Sequence, residues 1–227
     1  MTPIQNPSQK TRDEIAKAYA SDPWWYDLRG FLILTFAYRS TLWEQVDFFG
    51  KNIAKEHLEV AIGTGTLFDI ILKWRKFKRM PPAHIIGVDY AESMLNGAKQ
   101  RFSKHPEIEL NHADVANLPY PDDFFDSANI ANAVHCFPDL NSGLIEVLRT
   151  LKPGGRLAAN VLLYPRGSKI SQWIAQKINN WGIRKGILYT PYEADDIKKR
   201  LIDTGFEIVS EKISGNTYNV LAQKMLA

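Results

Sequence analysis

The rhythm of apolar and polar positions changes at Leu58. Before it, residues 1–57 carry helical spacing studded with aromatics: Tyr19, Trp24, Trp25, Tyr26, Phe31, Phe36, Tyr38 and Trp43. After it, short apolar runs alternate with amphipathic stretches, the pattern of repeated β-α units. Residues 58–62 read as a first strand. Leu67, Ile70, Ile71 and Trp74 then recur at helical spacing, and Pro81-Pro82 stop that helix. A second strand over 85–88 ends at Asp89, and Met94, Leu95, Ala98 and Phe102 mark the next helix. A short third strand covers 108–110 and a fourth 124–131. Leu140, Leu144, Val147, Leu148 and Leu151 line one helix face, closed by the breakers Lys152-Pro153-Gly154-Gly155. Residues 157–163 are almost wholly apolar, as a parallel strand buried on both faces reads.

The last third departs from this rhythm. Residues 165–192 are an insertion with its own amphipathic stretch (Ile170, Trp173, Ile174, Ile178, Trp181). Residues 195–201 are helical with Gly205 as C-cap. Residues 206–209 and 218–222 are two closing strands, joined near Ser214-Gly215-Asn216 as a hairpin. The expected fold is α/β: a doubly wound, mostly parallel seven-stranded sheet with an antiparallel closing strand.

The 45% hydrophobic content supplies a sizeable core, and the single cysteine, Cys136, allows no internal disulfide and no zinc cluster. A reducing, cytoplasmic setting fits such cysteine use. Net charge is only +3, too little to call for nucleic acid. No apolar run approaches the roughly 18 residues of a membrane span.

The chemistry concentrates in Glu59-Val60-Ala61-Ile62-Gly63-Thr64-Gly65-Thr66, where a strand turns into a helix. Glycines there let backbone approach a ligand, and the helix start adds free N–H donors. Asp89 follows about 20 residues on, where an acid accepts from ribose hydroxyls. It can equally serve as the next helix's N-cap. A dinucleotide fingerprint needs a third glycine, but that position holds Phe68, which argues against a nicotinamide dehydrogenase. No Gly-x-Ser-x-Gly elbow is present, so a hydrolase is unsupported.

Residues 59–66 resemble the first motif of class I S-adenosylmethionine-dependent methyltransferases. Gly87-Val88-Asp89-Tyr90-Ala91-Glu92-Ser93-Met94-Leu95 resembles their second, and residues 112–120 are similar to their adenine-side motif. Phe124-Phe125-Asp126 and residues 151–157 complete the order. The nearest flavour is the ubiquinone and menaquinone biosynthesis group. The resemblance implies a Rossmann-like methyltransferase domain over 58–227 and a helical lid over 1–57, and the basic, aromatic residues of 165–192 suggest an inserted lid. It implies S-adenosylmethionine as cofactor and no metal. Glu59, Ala61, Gly63, Thr64 and Gly65 would frame the methionine and ribose, and Asp89 the ribose hydroxyls. Tyr90 and Met94 would flank the adenine, Asp114 and Val115 would receive it, and Asn129 would face the methionine end. Ala61 departs from the family by replacing its first glycine.

The implied reaction is in-line methyl transfer to a small apolar or amphipathic acceptor. The candidate base is His135, in the loop after the fourth strand, with Tyr19 a second catalytic candidate among the lid aromatics. Arg166, Lys169, Lys177, Arg184 and Lys185 fall in 165–192 with no acid among them, which suits an anionic acceptor or transient contact with an anionic membrane surface. The alternative is a non-catalytic domain that binds the cofactor or a partner.

Overall fold

The computed structural model describes residues 41–166 and 192–226, with part of a helical stretch between 172 and 184. Seven strands form one sheet: β1 (Glu56–Val60), β2 (His84–Asp89), β3 (Ile108–His112), β4 (Phe125–Ile130), β5 (Leu151–Leu162), β6 (Phe206–Ser214) and β7 (Thr217–Lys224). Their order is β3-β2-β1-β4-β5-β7-β6. β1 pairs in parallel with β2 and β4, β2 with β3, and β4 with β5. β7 runs antiparallel to both β5 and β6. The antiparallel strand is therefore second from the edge, because the hairpin returns into the sheet and leaves β6 outermost.

Helices cover both faces. One face packs α1 (Leu42–Asn52), α2 (Thr66–Phe77) and α3 (Glu92–Arg101) through Val46, Phe49, Phe68, Ile71, Leu95 and Phe102. The other packs α4 (Leu140–Thr150) and α5 (Ala194–Thr204) through Leu144, Val147, Ile197 and Leu201. Alternation along each strand assigns the faces: Leu58 and Val60 point to α4, while His57 and Glu59 point to α1 and α2.

Several boundaries differ from the sequence reading. β1 spans Glu56–Val60, not 58–62, because Ala61 turns the chain with φ 54 and ends the ladder. The breakers at 152–155 do not end the preceding helix, which stops at Thr150, whose hydroxyl donates back to the Glu146 carbonyl at 3.0 Å. Those four residues instead occupy a register shift: Phe125 pairs with Leu151, then Ser127 with Arg156. Gly205 caps α5 in the left-handed region (φ 113), as its position predicts. The closing hairpin is longer than expected, since most of β6 is exposed and carries no apolar alternation. Tyr19, Trp24, Trp25, Tyr26, Phe31, Phe36 and Tyr38, and most of 165–192, lie outside the described residues.

Candidate functional site at the carboxyl ends of the strands

In an open parallel sheet, ligands bind beyond the carboxyl ends of the strands, where strand order reverses. Here the reversal lies between β1 and β4. Three residues of the β1–α2 turn are left-handed: Ala61 (φ 54), Gly63 (φ 61) and Gly65 (φ 74). The two glycines do different work. A Cβ on Gly65 would stand 2.4 Å from Phe102 Cε2, so α3 is packed directly onto the turn. Among the described residues, a Cβ on Gly63 would meet nothing within 4 Å. Gly65 is thus required by packing, and Gly63 faces open space of the kind a ligand fills. Phe68 takes no part in the turn; it lies parallel to the His57 ring at 6.4 Å and edge-on to Phe102 at 6.0 Å. Thr64 is buried, its hydroxyl 3.0 Å from that of Thr66, and Arg101 holds the turn by donating to the Thr64 carbonyl at 3.0 Å and to Thr66 Oγ1 at 2.7 Å.

Asp89 closes β2 and grips the same turn. Gly63 N donates to Oδ2 at 2.8 Å and Ala91 N to Oδ1 at 2.8 Å. The Tyr90 amide bonds the same carboxyl, so three of its roughly four acceptor positions are taken and about one is left for a ligand hydroxyl. Burial pushes the carboxyl pKa up, opposed by the Ala91 and Gly63 amides. Asp89 is not the N-cap of α3, a place held by Ala91. Beyond it, the Tyr90 ring sits 5.3 Å from that of His112 across the ends of β2 and β3. Asp114 Oδ1 accepts from Ala116 N at 3.0 Å, a turn that presents the segment after β3 to the same edge. Val115 is half-buried and touches the helix α4 at Gly143, while Met94 is buried in the core beneath.

A buried polar layer underlies this edge. Glu59 Oε2 accepts from Asn129 Nδ2 at 3.0 Å and lies 3.2 Å from His57 Nε2. His57 Nδ1 lies 2.7 Å from Ser127 Oγ, and Asn52 of α1 donates to Asn129 Oδ1 at 3.0 Å and to the Ala128 carbonyl at 2.8 Å. Burial pushes the His57 pKa down, so the ring is neutral and gives its one N–H to Glu59. Asn129 therefore reaches the site through its side chain: it fixes one oxygen of Glu59, and Glu59 Oε1 takes none of these bonds.

Past β4 the edge is built of amides. Asn132 is left-handed (φ 56), donates its backbone N–H to Asn160 Oδ1, and accepts from Asn160 Nδ2 at 2.7 Å. Its Nδ2 donates to Gln45 Oε1 of α1 at 2.9 Å. The start of α1 is held by the hairpin tip: Lys212 Nζ donates to Glu44 at 2.8 Å and Ser214 Oγ at 3.0 Å, which hold the Glu44 carboxyl below its ordinary range. Asn216, in the same tip, accepts from Leu163 N and Arg166 N at 2.8 Å each, where the insertion begins. His135 lies in the short helical turn Val134–Cys136 beside this edge, and burial takes its pKa down to about 4. Sequence reasoning named His135 but missed Gln45, Asn132 and Asn160. Asparagine just past a strand end, where φ turns positive, was the one signal available.

A family model described as "Methyltransferase domain" matches residues 58–159. The demethylmenaquinone methyltransferase of Deinococcus radiodurans is 42% identical over 101 residues, covering 44% of this chain and 40% of that protein. The ubiquinone/menaquinone biosynthesis C-methyltransferase of Hahella chejuensis is 31% identical over 160 residues, covering 67% and 61%. The chain spans about two fifths of the length of the first curated relatives it matches, 38% and 40%. Among solved structures, a possible histamine N-methyltransferase from Thermotoga maritima superposes with a TM-score of 0.65 at 20% identity, covering 92% of this chain and 99% of that one. A putative methyltransferase from Haloferax volcanii, solved with its Trm112 activator, gives 0.68 at 16%, covering 95% and 100%. These structures share the fold. With the five motifs in order on this sheet, residues 58–159 are a class I S-adenosylmethionine-dependent methyltransferase domain, akin to those of ubiquinone and menaquinone biosynthesis.

Proposed function

We propose that this chain transfers a methyl group from S-adenosylmethionine to a ring carbon of a small amphipathic acceptor bearing ring oxygens. The observation that carries the reading is the space over Gly63 left open by the described residues, bounded by the Asp89 carboxyl that grips the turn. That cradle suits a neutral ribose and a cationic methionine end without calling for a phosphate clamp. Glu59, fixed on one oxygen, is set to take the ammonium of the methionine part, directly or through water. Tyr90, Asp114 and Val115 border the adenine side.

When bound, S-adenosylmethionine would supply an electrophilic methyl carbon on a sulfonium leaving group, which departs as the neutral thioether. The protein's share is alignment and the exclusion of water. His135 is a poor candidate for the base. A conjugate acid with pKa about 4 holds a proton weakly at neutral pH, so its role in this reading is to pack the loop. Ring-oxygen acceptors are the class that the relatives' names carry. In the insertion, Lys177 sits over the Trp173 ring at 5.5 Å, and Trp173 is 63% exposed, as a lid facing an amphipathic ligand would be.

Calorimetric titration with S-adenosylmethionine and S-adenosylhomocysteine, with NAD as control, tests the cofactor. Micromolar binding of the first two is expected, weakened about 100-fold in Asp89→Ala through the loss of charge-assisted hydrogen bonds. Absence of binding to either would favour the non-catalytic reading, with the left-handed Ala61 as its cause. Charge reversal at Lys169 and Lys177 is expected to weaken acceptor use and leave cofactor affinity intact.

A further inference from the structure

Gln45 is 1% exposed, and its Nε2 has no hydrogen-bond partner among the described residues. A buried donor left unpaired costs about 1–3 kcal/mol, so it calls for an explanation. The orientation of this amide is not free. The Asn132 backbone N–H can only donate, so the Asn160 oxygen faces it. Asn160 Nδ2 must then meet the Asn132 oxygen, and Asn132 Nδ2 must meet the Gln45 oxygen. One backbone N–H thus sets the direction of three side-chain amides, and the last in the row is left with its N–H₂ unused by the others. Turning any one of them would set donor against donor.

The place of this donor follows from the sheet. The residues suited to adenine, ribose and methionine sit at the ends of β3, β2 and β1 in that order. The next positions along the same edge are the ends of β4 and β5, where Asn132 and Asn160 lie. The row that carries the donor consists of three amides, without a charged group among them. Such a site takes a neutral or partly charged oxygen in place of a full ion.

We propose that Gln45 Nε2 is the hydrogen-bond donor to a ring oxygen of the methyl acceptor, oriented for that task by Asn132 and Asn160. The proposal rests on the methyl-transfer reading above and adds the residue that selects an oxygen-bearing ring. The donor would bind the hydroxyl oxygen in the reduced ring and so fix where the ring sits against the methyl donor.

The sharp variant is Gln45→Glu. A carboxylate oxygen still accepts from Asn132 Nδ2, so the relay stays intact while the free donor is lost. Asn132→Gly is the companion, since glycine keeps the left-handed backbone but breaks the relay. Both are compared with the wild type in melting temperature, in affinity for S-adenosylhomocysteine, and in affinity of that complex for 1,4-naphthohydroquinone kept reduced under argon. The wild-type complex is expected to bind the hydroquinone. Gln45→Glu is expected to bind it about tenfold more weakly at neutral pH, with recovery at acid pH as the carboxyl regains a donor proton, and with homocysteine-cofactor affinity within about twofold. Asn132→Gly should fall between the two. Equal hydroquinone affinity in wild type and Gln45→Glu overturns the proposal. So does a parallel loss of S-adenosylhomocysteine affinity, which would give the donor to the methionine carboxylate, and so does a wild-type complex that ignores the hydroquinone. Failure of the wild type to bind S-adenosylhomocysteine at all would instead fell the methyl-transfer reading beneath it.

Discussion

The two halves of the sheet's carboxyl edge are built on different plans. Over β1, β2 and β3 the site is made by local backbone chemistry: a left-handed turn at Ala61, Gly63 and Gly65, and one carboxyl that grips it from Asp89. Over β4 and β5 it is made by side chains far apart in sequence, with Gln45 and Asn132 separated by 87 positions and Asn132 and Asn160 by 28. In the proposed reading the first half holds the cofactor and the second faces the acceptor. A turn fixed by backbone geometry tolerates little change, whereas an amide row can be rewritten one side chain at a time.

The largest test of that contrast is a pair of alanines in one turn. Gly65→Ala puts a methyl 2.4 Å from Phe102 and forces a left-handed alanine. Overpacking and backbone strain together cost about 2–5 kcal/mol, a fall in melting temperature of roughly 5–15 °C. Gly63→Ala meets open space, so only the backbone cost of about 1 kcal/mol applies, yet its methyl occupies the ligand's room. Thermal melts with and without S-adenosylhomocysteine separate the two. Gly65→Ala should lose stability in both, and Gly63→Ala mainly the stabilisation that ligand brings. Equal melts for the two variants would remove the distinction between a packing glycine and a ligand glycine.

On the other half, His135 gives the next effect. Its folded pKa of about 4 lies below the ordinary 6.5, so between those values the unfolded chain binds the extra proton. Stability therefore rises with pH through that window and falls on acidification, by on the order of 3 kcal/mol in total at the acid end. His57 is shifted in the same direction by burial. His84 is shifted upward by Glu56, but it is about a third exposed and lies at the opposite end of the strands, so its contrary effect is smaller. Urea unfolding of wild type and His135→Gln from pH 4 to 7 isolates the contribution, because the variant should lose much of the slope. An unchanged slope would mean that water reaches the imidazole and that the β4 edge is open.

The same contrast explains what was legible in the chain. The strand-helix alternation is a local pattern, legible from residues within a few positions of one another, and the glycine turn and Asp89 stand where it puts them, at the ends of β1 and β2. Phe68 at the third-glycine position excluded the dinucleotide reading, and it is in fact core, packed on His57 and Phe102. Strand limits slipped where tertiary pairing overrode local signals, as when Lys152-Pro153-Gly154-Gly155 was absorbed into the β4–β5 register shift. His57, Ser127 and Asn129 alternate with apolar residues on central strands, and only the three-dimensional pairing shows that they join Glu59 in one buried layer. The amide row was invisible for the same reason. Asparagine and glutamine at isolated positions read as surface until the fold brings them within reach.

The smallest effect concerns Ala61. It holds φ 54, a left-handed conformation that costs an L-residue about 1–2 kcal/mol. Glycine adopts it without that cost but gives the unfolded chain more freedom, about 0.4–1 kcal/mol. Ala61→Gly is therefore expected to stabilise the protein by no more than about 1 kcal/mol, read as a shift of roughly 2–4 °C in melting temperature. Asp89 and Gly63 hold the turn from the other side, so the alanine persists because the neighbouring bonds over-determine its backbone. If the turn is set as firmly as this argument requires, S-adenosylhomocysteine affinity should change less than twofold. A large gain in affinity would mean that Ala61 keeps the cradle out of shape, and that local backbone chemistry on this half of the edge is as open to revision as the amides on the other.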